Sequence, residues 1–123
     1  PRIIGVEKAL ELLMRGQRLS GREALDWGLT GRCVPAGEVL DTALEIARDI
    51  AVNAAPLAVA MHKRLLWQGL DMSYSDLAAK ERRCLNLSMS KADAVEGGMA
   101  YFERRTPNWT GQLDADWPEW MDE

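Results

Sequence analysis

Few side chains in this 123-residue chain stand at spacings that suit chemistry. Glu7 and Glu11 lie one helical turn apart, a separation at which two carboxylates can divide acid and base roles. Glu11 is also placed to pair with Arg15 four residues on, a use that needs no substrate and that we expect to hold it. His62 is the only histidine, and the Lys63-Arg64 pair beside it suits an exposed helix face with no second ligand or nucleophile near in sequence. Cys33 and Cys84 have no metal-ligand spacing, and Cys84 fits a small core residue. Trp27 and Trp67 fit helix packing. The densest stretch is residues 92–111, ADAVEGGMAYFERRTPNWTG, where an acidic helix start, a paired glycine, an aromatic couple and a basic pair follow one another within a few turns.

The elements that must carry these residues are helices. Val6, Ala9, Leu10, Leu13 and Met14 follow helical spacing, with Gly16 as the stop. Ser20-Gly-Arg-Glu23 is a capping box, in which serine and glutamate satisfy each other's orphan backbone donors; it predicts a short helix ending near Gly28. Leu40, Ala43, Leu44, Ala47, Ile50 and Ala51 form one apolar stripe, interrupted at Asn53-Ala-Ala-Pro56 because the residue before a proline resists helix. A further helix is predicted over Pro56–Gln68, with the proline in its first turn and Gly69 beyond its end. Ser73-Tyr-Ser-Asp76 and Ser90-Lys-Ala-Asp93 read as two more helix starts. The one strand candidate, residues 30–34, must pair with something outside the chain or lie as an extended connector, since a lone strand cannot satisfy its own edges. The expected fold class is all-α, about six helices with one short extended segment. A helical domain is expected over residues 1–111, and residues 112–123, acidic and bearing Trp117 and Trp120, form a tail that is either mobile or docked through its indoles.

Composition narrows the function classes. With 47% apolar and 28% charged residues the chain is an ordinary globular one, able to bury roughly two-thirds of its unfolded surface. A net charge of −4 gives no global attraction to nucleic acid or anionic membrane. No apolar run approaches the roughly 20 residues that span a bilayer. Two cysteines without a signal peptide before them predict a reduced, cytoplasmic protein. The opening on Pro1, inside a patterned segment, is the form an excised piece takes. Ala24, Gly28 and Val34 have the spacing of a DNA-binding helix-turn-helix. The recognition helix would then contain Pro35 and Gly37, which break helices, and the acidic balance opposes phosphate attraction.

Three motifs in order carry a resemblance. They are Ala9-Leu-Glu-Leu-Leu-Met-Arg-Gly16, Arg18-Leu-Ser-Gly-Arg-Glu-Ala-Leu-Asp-Trp-Gly-Leu-Thr-Gly-Arg-Cys-Val-Pro35 and Glu96-Gly-Gly-Met-Ala-Tyr-Phe-Glu-Arg-Arg105. Together with the segments between them, they resemble the part of the enoyl-CoA hydratase/isomerase (crotonase) family that follows its catalytic half. The resemblance implies the C-terminal helical domain of that fold, and a coenzyme A thioester as substrate with no cofactor. Family hydratases add water across the 2,3-double bond of an enoyl thioester. Two backbone N–H groups hold the thioester oxygen while two glutamates handle water and proton. Both sets precede the region that Pro1 begins, so no catalytic residue is carried over and the chain alone is expected to be inactive.

What the resemblance does bring is Tyr101 and Arg104, standing where the family has phenylalanine and lysine in its last helix. Three apart, they are expected on one helical face, near the coenzyme A moiety. The resemblance also implies a homo-oligomer, trimer or hexamer, and no nucleic-acid or membrane partner. Alternatively, the chain serves as a non-catalytic helical association module. In that role Leu57, Met61 and Leu65, and Leu77 with Cys84, offer apolar stripes that either meet a partner or close one core.

Overall fold

The computed structural model describes residues 1–122, and their regular structure is entirely helical. In chain order the helices are α1 (Val6–Arg15), α2 (Gly21–Asp26), α3 (Val39–Asn53), α4 (Pro56–Gln68), α5 (Tyr74–Met89), α6 (Ala92–Glu103) and the single turn α7 (Leu113–Asp116). Short 3-10 turns stand at Ala36–Glu38 and Glu119–Met121. The chain divides into two compact units, Pro1–Leu44 and Glu45–Glu123.

In the first unit, local rules account for each boundary. Gly16 ends α1 in the left-handed conformation that glycine adopts without a Cβ penalty. Glu11 pairs with Arg15, the use expected of it from the sequence, and is spent on the surface. The capping box of α2 is complete: Glu23 N donates to Ser20 Oγ at 3.2 Å, and Ser20 N donates to Glu23 Oε2 at 2.9 Å. That bonding to Ser20 holds the Glu23 carboxyl below its ordinary value. Of the apolar residues that define α1, only Ala9 is buried; Val6, Leu10, Leu13 and Met14 are exposed. Residues 30–34 form no strand and run as an irregular connector, the second of the two forms expected of them.

The fifteen-residue α3 buries none of its side chains, although it carries the long apolar stripe read from the sequence. It stops at Asn53, two residues before Ala55-Pro56, as the restriction on pre-proline residues requires.

In the second unit α4 packs on α5 and α5 on α6. Leu57, Met61 and Leu65 of α4 and Cys84 of α5 are buried together, with Leu77 and Leu87 packed against them. Thus the two stripes considered as partner surfaces close the unit's own core. The terminal segment is part of that core: Met121 is fully buried in it, and Trp117 and Trp120 lie against it.

One helix start differs from the sequence expectation. Ser73 does cap α5, its hydroxyl accepting from Asp76 N at 3.2 Å. Ser90, however, belongs to the end of α5 and donates to Leu87 O at 2.7 Å. The N-cap position of α6 falls to Lys91, which makes no side-chain cap. Asp93 is consequently free for another task.

Candidate functional site

That task is to hold the chain's return along α6. Asp93 and Glu96, three residues apart, sit on one face of the helix and each grips the segment that follows it. Asp93 Oδ1 accepts from Thr110 N at 2.9 Å and from Thr110 Oγ1 at 3.2 Å, and Oδ2 accepts from Gly111 N at 3.2 Å. Asp93 is the buried charged residue among those described, and these three donors are what make burial of a carboxylate tolerable. A Cβ at Gly111 would stand 2.7 Å from Asp93 Oδ2, so only glycine allows this approach.

Glu96 accepts a bidentate pair from Arg105, Nη1 at 2.6 Å and Nη2 at 2.8 Å, together with Asn108 N at 2.6 Å. The Arg105 fork, then the Asn108 amide, hold the Glu96 carboxyl down to about 2. The Arg105 guanidinium is correspondingly stabilised in its charged form, by Glu96 first and Glu103 second. Between the two acids lies Gly97, over which the Trp109 ring passes; a Cβ there would meet Trp109 Cη2 at 3.4 Å. The Trp109 indole donates to Val52 O at 2.9 Å, tying this return segment to the end of α3.

The clasp leaves the far end of α6 open. Tyr101 is 82% exposed and touches Phe102 edge-on, with ring centroids 6.0 Å apart. Arg104 follows the last helical residue and takes the left-handed conformation, φ 54°, rare for a side-chain-bearing residue. The continuous helical face expected for Tyr101 and Arg104 therefore ends before Arg104. Both nevertheless line one shallow open depression, together with Ala100, Phe102 and Arg105. No acidic group among the described residues pairs with Arg104, whereas Arg105 beside it is fully engaged. An exposed ring beside a free guanidinium can bind a ligand with an anionic or planar aromatic part. It cannot by itself move protons.

The other chemical candidates are not brought together. His62 is exposed on α4 and lines a groove with Glu81 and Arg82. Burial raises the Cys84 thiol above its ordinary value, which disfavours the reactive thiolate. Cys33 packs at the start of α2, 3.1 Å from where a Cβ on Gly21 would stand. No group of three or more potential metal ligands occurs among the described residues, and no helix among them is long and apolar enough to cross a membrane.

Comparison with known proteins gives this arrangement a setting. Residues 1–112 match the family described as enoyl-CoA hydratase/isomerase. A carnitinyl-CoA dehydratase of Salmonella arizonae is 36% identical over 115 residues, covering 90% of this chain and 44% of that protein. Among solved structures, a probable enoyl-CoA hydratase/isomerase from Mycobacterium abscessus superposes with a TM-score of 0.88 at 45% identity, over 91% of this chain and 44% of that one. An enoyl-CoA hydratase from Bacillus anthracis gives 0.84 at 34% identity, over 91% and 43%. The chain thus spans less than half the length of the relatives it matches. The helical arrangement, the ordered motifs and a match over most of its residues agree: the chain belongs to the enoyl-CoA hydratase/isomerase family.

Proposed function

We propose that this chain is the C-terminal, coenzyme A-contacting and assembling region of an enzyme that hydrates 2-enoyl-CoA thioesters when the whole protein is present. The observation that carries this reading is the free Arg104 guanidinium beside the exposed Tyr101 ring, at the end of a helix clamped to the returning chain by Asp93 and Glu96. A rigid helix end is what a recognition pair needs, since little ordering remains to be done on binding. The tyrosine ring suits pantetheine or acyl atoms, and the guanidinium suits a phosphate or the adenine plane.

In this reading the acid–base work of hydration does not fall to the glutamates that the fold engages. Glu11 is tied to Arg15, Glu23 closes a cap and Glu96 is in the clasp. The reading therefore assigns catalysis to the rest of the protein, and no cofactor beyond the thioester. Relatives named carnitinyl-CoA dehydratase support including the reverse direction, loss of water to give an enoyl thioester, since both directions share one transition state. In the full-length protein, Arg104→Ala is expected to weaken coenzyme A binding about tenfold, the loss of one charge-assisted hydrogen bond at about 1.5 kcal/mol. Titration calorimetry reads this directly, and unchanged affinity removes Arg104 from the site.

A further inference from the structure

Helix α6 ends on two consecutive arginines that the fold treats in opposite ways. Arg104 takes the left-handed conformation, and two backbone bonds close the turn around it. Arg104 N donates to Tyr101 O at 3.3 Å, and Arg105 N donates to Ala100 O at 3.1 Å. Glycine is the usual residue in this helix ending, because a Cβ there crowds the following carbonyl. With an arginine in its place the turn carries a conformational cost that the surrounding contacts must offset.

Those contacts are made by Arg105. Its Nη1 and Nη2 donate to the two oxygens of Glu96 at 2.6 and 2.8 Å, its Nε donates to Glu103, and Nη1 also reaches Thr106 O at 3.2 Å. Glu96 accepts from Asn108 N as well, at 2.6 Å, so the chain is held on both sides of Thr106-Pro107. One residue further on, the Trp109 ring covers Gly97 and its indole donates to Val52 O. A chain held at these points has to reverse at Arg104, the residue between the end of α6 and the fork. Arg105 therefore has its charge met by two acids. Arg104 faces no acid among the described residues, and it shares a shallow depression with the exposed Tyr101 ring.

Resting on the reading of Arg104 as a coenzyme A contact, we propose that Glu96 and Arg105 are positioning residues for it. Their fork fixes the left-handed turn, which sets the direction in which the Arg104 side chain leaves the backbone. It also occupies the neighbouring guanidinium, so that an anionic part of the ligand meets one arginine of the pair and not both. Glu96 thereby selects between the twin arginines. Charge and geometry oppose each other here. By charge alone a carboxylate near an anionic ligand weakens binding, so any benefit from Glu96 comes through position.

The test is the affinity of the full-length protein for coenzyme A, read by titration calorimetry in Glu96→Gln and Arg105→Ala. The first substitution removes a negative charge and the second a positive one, so an influence through charge alone moves the affinity in opposite directions. Positioning predicts that both weaken binding, by about threefold to tenfold, the loss expected when one long side chain must be ordered on binding. Arg105→Lys, which keeps the charge and loses the fork, should weaken it likewise and serves if Glu96→Gln fails to fold. In an Arg104→Ala background none of these substitutions should weaken binding further, since no guanidinium remains to be positioned. Opposite shifts, or unchanged affinity where Arg104→Ala alone weakens binding, overturn the positioning role and leave Arg104 in the site. An equal further loss in the Arg104→Ala background also overturns it, because Glu96 then acts on the fold at large. Unchanged affinity in Arg104→Ala alone removes the site itself and the positioning role with it.

Discussion

Asp93 and Glu96 are the most consequential acidic residues described in this chain, and both are used for position. The Glu96 carboxyl is held at about 2 against an ordinary 4.5, so its folded form binds a proton less readily than its unfolded form. The stabilisation it provides is therefore present above about pH 4.5 and is lost as pH falls toward about 2. Glu23, through Ser20, and Asp116, through Lys91, are shifted in the same direction and add to the same acid limb. Glu96→Gln is expected to lower the urea midpoint at pH 7 and to flatten its decline between pH 4.5 and pH 2. The two proteins should converge at the acid end. Parallel curves across that range would show that the Arg105 fork does not hold Glu96 in solution. Neither acid's task was legible in the sequence. Their partners lie nine to eighteen residues on, beyond a left-handed residue at Arg104 that no local pattern announces. The Gly111 requirement is equally remote, since it comes from Asp93 and not from a turn. Tyr101 and Arg104 were singled out only because the order of motifs around them resembles a family.

At the scale of elements, local chemistry was far more informative. The pre-proline restriction placed the end of α3, and Pro56 with Gly69 placed both ends of α4. The two S-x-x-D starts show where such rules stop. Ser73 and Ser90 are followed by the same spacing, yet only Ser73 accepts from the backbone N–H three residues on. Ser90 keeps helical dihedrals as the C-cap of α5 and its hydroxyl donates to Leu87 O, so the start of α6 falls to Lys91 and the Asp93 carboxylate bonds Thr110 and Gly111 instead. Ser73→Ala is expected to reduce stability by about 1 kcal/mol, the usual loss for an N-cap hydroxyl. Ser90→Ala, which removes only a bond to the Leu87 carbonyl, should cost less than half as much. Chemical denaturation of the two variants side by side distinguishes them. Equal losses would mean that the start of α6 does depend on Ser90.

For the whole molecule, the decisive fact is how much apolar surface remains uncovered. Leu57, Met61, Leu65 and Cys84, from stripes that the sequence allowed either to meet a partner or to close one core, are the core. Others are exposed: Leu10, Leu13 and Met14 on α1, Leu40 and Ile50 on α3, and Val95, Met99 and Phe102 on α6. Periodicity shows that a helix has an apolar face but not what covers it, so these two sets were indistinguishable beforehand. Val95, Met99 and Phe102 recur at i, i+4 and i+7, and such a stripe left in water favours association. In a solution of the isolated chain, the apolar surface at hand to cover such faces is that of another copy. At micromolar concentration the isolated chain is accordingly expected to sediment as concentration-dependent oligomers. Val95→Lys and Phe102→Lys together should move it toward monomer, since a charge in an apolar contact is left unpaired when the contact closes. The helical circular dichroism signal should be retained, because both side chains point away from the core. A single monomeric species at every concentration would show that these faces do not drive self-association, and the assembling role would then have to be abandoned.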